Sequence, residues 1–223
     1  MHYLLYIVED DENLNQVLTS YLKNQGWDVI SFTKGRDAQT YIDKPPHLWI
    51  LDIMLDDLTG YDLIKEIKSF NPRTPVIFIS ARYAELDRVI GLEMGSDDYI
   101  AKPFLPKELV IRASKLLQRM YESSGDPVKT LAIGPYKIDT HCRVVHDASA
   151  TIYLTSKEFD LLLFLATHPG MAFTREQILD RMWGEDYCGT DRVVDDLIRR
   201  IRRRLDKINV ETIYGYGYRV LEK

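Results

Sequence analysis

What most restricts the fold of this chain is a five-fold alternation in its first half between short apolar runs and amphipathic stretches. The runs are YLLYIV (3–8), WDVISF (27–32), HLWILDIML (47–55), PVIFIS (75–80) and the core of DDYIAKPF (97–104). Apolar residues at helical spacing separate them. Leu14, Val17, Leu18, Tyr21 and Leu22 share one face before Gly26, and Ala38, Tyr41 and Ile42 precede Pro45-Pro46. Leu63, Ile64 and Ile67 mark a third helix, Leu86 to Met94 a fourth, and Glu108 to Met120 a fifth. The third run is apolar almost throughout, so its strand must be covered on both sides. Five β-α repeats with short connections predict a parallel sheet wrapped by helices on both faces. In such sheets, functional groups gather at the carboxyl ends of the strands.

Those ends carry chemistry. Glu9, Asp10 and Asp11 follow the first strand, and Asp52 closes the third. Side-by-side carboxylates repel, and burying them is costly unless a cation sits among them. Glu9, Asp10 and Asp52 can converge on one point as an all-oxygen site suited to Mg²⁺. Ser80 and Lys102 end the fourth and fifth strands, and Lys102 precedes Pro103 at a candidate cis bond. A carboxylate can attack a phosphoryl group while Mg²⁺ and Lys102 neutralise its oxygens and Ser80 donates to one of them. A lone acid after a strand is an ordinary helix cap, and Asp11 is expected to be one. The joint placement of these residues at four strand ends is not ordinary.

Polar, Gly- and Pro-bearing residues 122–128 read as a linker between a first domain, 1–121, and a second, 129–223. There the pattern changes to short strand pieces (LAIGPYKID, RVVHD, ATIYL), then helices near 156–167, 175–183 and 190–206, then two short strands in VETIYGYGYRVL (210–221). In TDRVVDDLIRRIRRRL (190–205), Val194, Leu197, Ile198, Ile201 and Leu205 share one face. Arg192, Asp196, Arg199 and Arg203 lie opposite, with Arg200 on the flank and Thr190 or Asp191 as the cap. An arginine face suits a major groove, where Arg grips phosphate or reads guanine.

The net charge of −5 hides this cationic helix, so local charge says more about partners than the total does. No apolar run reaches the ~18 residues of a membrane span, and no signal peptide is expected. Cys142 and Cys188 therefore read as free thiols, and the chain as a cytoplasmic protein.

IVEDD, LDIML, FISA and DYIAKPF resemble the motifs of the receiver domains of two-component response regulators, over residues 2 to about 121. LTSKEFDLLLFLATHPGMAFTREQIL, the MWG turn, the arginine helix and VETIYGYGYRV resemble the winged-helix output domain of the OmpR/PhoB family. The resemblance implies an α/β receiver followed by an α+β winged-helix domain. It implies that Asp52 is the phosphoacceptor and that Glu9, Asp10, Asp52 and the Met54 carbonyl hold Mg²⁺. It also makes Ser80 and Tyr99 a switch pair and Lys102 the phosphate-binding lysine. Arg88, Asp98, Glu108 and Arg112 match ion-pair positions of a receiver homodimer, and Val89, Leu92 and Val110 its apolar centre. Thr174, Trp183, Arg192, Arg199 and Thr212 match backbone contacts to promoter DNA, and Arg200 and Arg203 match base contacts.

Two positions depart from the family pattern. Asp56 stands where Pro is usual, and Tyr214 stands where the wing usually carries a cation. Of the wing aromatics, Tyr218 is expected in the hairpin core. The implied partners are a membrane histidine kinase, double-stranded DNA and a second copy of the chain. Closer likeness in LLYIVEDDENLNQVLTSYLKNQGW, HLWILDIML and DDLIRRIRRRL points to a subgroup of the family that answers secretion stress.

Two other classes compete. An aspartyl-phosphate phosphatase would want an acid two residues after Asp52, where Met54 stands instead, so the chain is not expected to be an enzyme beyond its own phosphoryl transfer. A phosphorylation-independent DNA-binding regulator with a vestigial receiver is disfavoured by the intact Asp10, Asp52, Ser80 and Lys102.

Overall fold

A computed structural model describes residues 2–80, 94–122, 130–184 and 190–221. The chain divides into two compact units, Met1–Ser123 and Ser124–Lys223. The expected linker lies almost wholly outside the described residues, as do Cys188 and the helix expected from Leu86, apart from Met94 at its end. Cys142 is an exposed free thiol.

The first unit alternates β1 (Leu4–Val8), α1 (Glu12–Lys23), β2 (Asp28–Phe32), α2 (Gly35–Gln39), β3 (Leu48–Asp52), α3 (Gly60–Phe70), β4 (Val76–Ser80), β5 (Asp98–Ala101) and α4 (Pro106–Tyr121). All strand pairs are parallel, in the order β2-β1-β3-β4-β5. Alternate strand residues feed two cores. Leu5, Ile7, Leu48 and Ile50 pack with Leu18 and Leu22 of α1 and Leu109 and Leu116 of α4. Tyr6, Val8, Trp49 and Leu51 pack with Leu63, Ile64 and Ile67 of α3. The near-continuous apolar strands follow directly from burial on both faces.

Three details differ from expectation. β3 ends at Asp52, so the last three residues of HLWILDIML leave the sheet and the phosphoacceptor candidate is the final strand residue. α1 buries Asn15, Leu18 and Leu22, whereas Val17 and Tyr21 are exposed. The helix lies on the sheet through a narrow stripe, and positions 17 and 21 fall about 100° to one side of it. α2 stops at Gln39, yet Tyr41 and Ile42 still pack against the second core.

The second unit opens with β6 (Thr130–Ile133), β7 (Tyr136–Asp139), β8 (Val144–His146) and β9 (Thr151–Ile152), a four-stranded antiparallel sheet. Helices α5 (Ser156–Ala166), α6 (Arg175–Trp183) and α7 (Arg192–Arg204) follow, with β10 (Phe173–Thr174), β11 (Val210–Ile213) and β12 (Gly217–Val220). The last three form a sheet in the order β10-β12-β11. β10 is too short to show alternation, and the sequence reading missed it. Its place is fixed by pairing with Tyr218 and Gly217. The apolar face of α7 is buried as expected, with Val193 added to it. Asp191 occupies the N-cap position but makes no side-chain cap bond, contrary to the expected cap.

Candidate functional site

The acidic triplet sits where β1 delivers it. Asp11 accepts hydrogen bonds from the Asn13 and Leu14 amides at 2.9 and 3.0 Å, so it caps α1 and turns away from the cluster. Glu9, Asp10 and Asp52 offer carboxylate oxygens that all lie within 4.8 Å of one another. Glu9 is fully buried and Asp52 almost so. Lys102 reaches in from the end of β5, where its backbone amide donates to the Ser80 carbonyl at 2.7 Å. Its Nζ stands 2.6 Å from Asp52 Oδ2 and 2.8 Å from Glu9 Oε1. The other Asp52 oxygen, Oδ1, accepts the Met54 amide at 2.8 Å. The Lys102–Pro103 bond is cis.

The electrostatics are those of an acid site with too little positive charge. Burial pushes the Glu9 carboxyl up to about 7, against the Lys102 contact that lowers it and with the Asp52 charge adding to the rise. Asp10 is raised as well, first by burial and then by Asp52 and Asp56. The departure at Asp56 therefore adds negative field at the cluster. Burial alone would lower Lys102, but its bonds to Asp52 and Glu9 outweigh that and hold it charged.

The donor set fits a hard divalent cation. It is all oxygen and anionic, and Glu9 Oε2 is buried with no hydrogen-bond partner, although it lies 2.7 Å from Nζ in ion-pair range. Glu9, Asp10 and Asp52 are the residues that would hold such an ion.

Gly60, at the start of α3, was not singled out by the sequence. A Cβ there would lie 2.3 Å from the Asp52 carbonyl oxygen, so only glycine lets α3 pack directly behind the phosphoacceptor candidate. Ser80 is fully buried at the end of β4, and Tyr99 is buried in the core that holds Leu51 and Phe78. Arg88, Val89 and Leu92 lie outside the described residues. Asp98, Glu108 and Arg112 come together within one chain: Arg112 lies 3.2 Å from Asp98 and 2.9 Å from Glu108. Val110 is half-buried against the first core.

In the second unit the arginines of α7 divide into two groups. Arg192, Arg199 and Arg203 are exposed, and Arg199 pairs with Asp196 at 2.5 Å. Arg200 does not join them. Its side chain is 12% exposed and turns to buried Glu158, 3.6 Å away, which Arg204 also approaches at 3.4 Å. Glu158 is the third residue of α5 in a capping box with Thr155, so the first turn of α5 fixes where its charge lies. A buried carboxylate draws in the nearest guanidinium, and helical periodicity could not show that pairing.

Arg202 donates to the Val210 carbonyl at 2.6 Å and to the Thr212 hydroxyl at 2.9 Å, tying α7 to β11. Thr174 caps α6 in a second capping box, which leaves its hydroxyl proton to donate outward. Trp183 is half-buried, with the Lys157 ammonium 4.9 Å from its ring. Tyr214 is 94% exposed at the hairpin tip. Tyr218 is buried, as expected. Its hydroxyl donates to Asp195 at 2.6 Å beneath the Arg175 guanidinium, and burial with that bond pushes its pKa up to about 12.

A doubly wound sheet with an acid cluster at its strand ends, followed in the chain by a helix–wing unit with an arginine face, has the architecture of a receiver domain followed by a DNA-binding output domain. Residues 5–114 match the response regulator receiver domain, and residues 149–220 match the C-terminal domain of transcriptional regulatory proteins. The chain belongs to the response regulators of the OmpR/PhoB type. It is 56% identical over 223 residues to the transcriptional regulatory protein CssR of Bacillus subtilis, covering 99% of each chain. It is 32% identical to the response regulator SaeR of Staphylococcus aureus, covering 96% of each. Among solved structures, the Thermotoga maritima OmpR/PhoB homologue DrrB is 33% identical, with 99% of this chain and 100% of that one covered and a TM-score of 0.54. The chain is thus a response regulator of a two-component system that regulates transcription, not a classical enzyme. Among the described residues, no helix is long and apolar enough to cross a membrane.

Proposed function

We propose that Asp52 takes a phosphoryl group from a membrane histidine kinase and that the phosphorylated protein dimerises and binds promoter DNA in the cytoplasm. The observation that carries this reading is the convergence of Glu9, Asp10 and Asp52 with Lys102 bridging two of them. The receiver would span 1–121 and the output domain 129–223, joined by residues 122–128. The subgroup resemblance in LLYIVEDDENLNQVLTSYLKNQGW, HLWILDIML and DDLIRRIRRRL supports genes that answer secretion stress as the regulated set.

Glu9, Asp10, Asp52 and the Met54 carbonyl would hold Mg²⁺, which when bound neutralises charge on the phosphoryl oxygens. An Asp52 carboxylate oxygen bonds to phosphorus as the bond to the donor breaks. The Met54 amide and Lys102, already on Asp52, orient the nucleophile, and Lys102 pairs with the charge that arrives. Ser80, one strand over, donates to a phosphoryl oxygen, and Tyr99 carries that change toward the β5–α4 surface. There Asp98, Glu108, Val110 and Arg112 would meet a second copy, and the family resemblance adds Arg88, Val89 and Leu92 to that contact. In the output domain, Arg192, Arg199, Arg203 and Tyr214 would face DNA, with Thr174, Trp183 and Thr212 at its backbone. Arg200 is less suited to read a base while Glu158 holds it.

Intact mass after exposure to acetyl phosphate tests the phosphorylation. One HPO₃ adduct is expected on the wild type with Mg²⁺, and none on Asp52→Ala or without Mg²⁺. An adduct of the same yield on Asp52→Ala would leave a phosphorylation-independent DNA binder as the better reading.

Mg²⁺ affinity should also depend on pH. Glu9 is pushed up to about 7 by burial, so below that pH it holds a proton that the metal must displace. Affinity should therefore rise as pH increases through 7 and fall by up to about ten-fold for each unit below it. Calorimetric titrations at pH 6 and 8 check this, and a flat profile in the wild type would contradict it. Glu9→Gln should lose the dependence.

A further inference from the structure

The acid cluster is held from behind by Asn15, on the buried stripe of α1. Asn15 is 4% exposed. Its carboxamide Nδ2 donates to the Glu9 carbonyl and to the Phe32 carbonyl, each at 2.9 Å. The Glu9 amide donates to the same Phe32 carbonyl at 3.1 Å. Glu9 is thus gripped at both ends of its backbone, by β2 on one side and by α1 on the other. The Asn15 amide itself donates to the Asp11 carbonyl at 2.8 Å, closing a ring from the end of β1 into the first turn of α1.

We propose that Asn15 is a positioning residue for the cation site: by fixing the Glu9–Asp10 peptide it aims both carboxylates at Asp52. The inference rests on reading Glu9, Asp10 and Asp52 as a Mg²⁺ site. The Glu9 carbonyl and the Asp10 nitrogen share one rigid plane. Holding the carbonyl fixes ψ of Glu9 and φ of Asp10, and those two angles set where the acidic side chains leave the backbone. Mg²⁺ demands near-octahedral oxygens at short distance, so a small rotation of this peptide removes a ligand. Asn suits the task because one NH₂ group supplies two divergent donors and brings no charge into a site that must stay anionic. Both donors are used, so no smaller side chain can replace them in full.

An ordinary helix-to-strand tie would affect stability alone, and the test separates the two roles. Mg²⁺ affinity of the full chain is measured by calorimetry at pH 8, beside thermal unfolding of the metal-free protein. Asn15→Ala is expected to weaken Mg²⁺ binding by roughly ten-fold or more, the range of ligand-orienting contacts in metal sites. Leu22→Val, which trims the same buried stripe without touching Glu9, should lower stability while keeping affinity within about two-fold. If Asn15→Ala does not fold, Asn15→Ser carries the test, because its hydroxyl can satisfy only one carbonyl, and a loss of about three-fold or more is expected. Should the folded Asn15 variant bind Mg²⁺ as tightly as Leu22→Val while Asp10→Asn abolishes binding, the positioning role is overturned and the cation site stands. If the wild type binds no Mg²⁺, or Asp10→Asn binds as well as the wild type, both fall together.

Discussion

Replacing Gly217 with alanine is expected to destabilise the output domain by at least about 3 kcal/mol, a drop of roughly 10–20 °C in its unfolding temperature. A Cβ at this position would lie 2.0 Å from the Phe173 carbonyl oxygen and 2.9 Å from the Thr174 Cα. Both are backbone atoms of the strand it pairs with, so no rotamer can relieve the overlap. β10 must part from β12, and with it go the Thr174 cap of α6 and the seat of Tyr218. Gly215 offers the contrast. Nothing lies within 4 Å of its would-be Cβ, and only its φ of +72° opposes a side chain. Gly215→Ala should therefore cost only about 1 kcal/mol. Circular dichroism melts of the two variants decide the matter. Equal shifts would mean that β10 yields to the added methyl group and that the tight pairing is not a constraint.

Glu158→Ala is expected to cost the output domain about 3–5 kcal/mol, from the loss of a buried charge pair together with the loss of a helix cap. Glu158 is 1% exposed. It closes the capping box of α5 through the Thr155 amide at 2.9 Å and is flanked by the guanidinium groups of Arg200 and Arg204. Removing it leaves the cap unmade and takes from Arg200 and Arg204 the buried carboxylate they flank. Glu158→Gln keeps the cap, since glutamine serves at the same position, and should cost clearly less. It also removes the buried negative charge toward which Arg200 turns. Binding of non-specific duplex at low salt should then tighten and depend more steeply on salt. Denaturant unfolding of the two variants checks the first claim. Similar losses in both would place the stabilisation in the charge pair and not in the cap.

Much of this was legible in sequence because it depends on local pattern. The doubly wound sheet follows from apolar runs that need cover on both faces, and the site from acids at the ends of β1 and β3. The arginine helix follows from its period, although its expected cap is not made, and the buried Tyr218 from its place in the hairpin. What the pattern missed are relations between distant backbones. β10 exists because Gly217 admits it, and Gly60 matters because Asp52 lies behind it.

By itself, the amino-acid sequence determined the two domain types, most of the elements and the four strand ends that carry Glu9, Asp52, Ser80 and Lys102. These are set by periodicity and residue type, which act over a few positions of chain. The tertiary structure alone decided how the charges are shared out. Lys102 bridges Glu9 and Asp52, Arg200 turns inward to Glu158, and the carboxamide of Asn15 grips the peptide that aims Glu9 and Asp10. Each partner lies far along the chain from the other or on a different element. Electrostatic and hydrogen-bond energies depend on distance and burial in space, and those quantities exist only once the chain has folded.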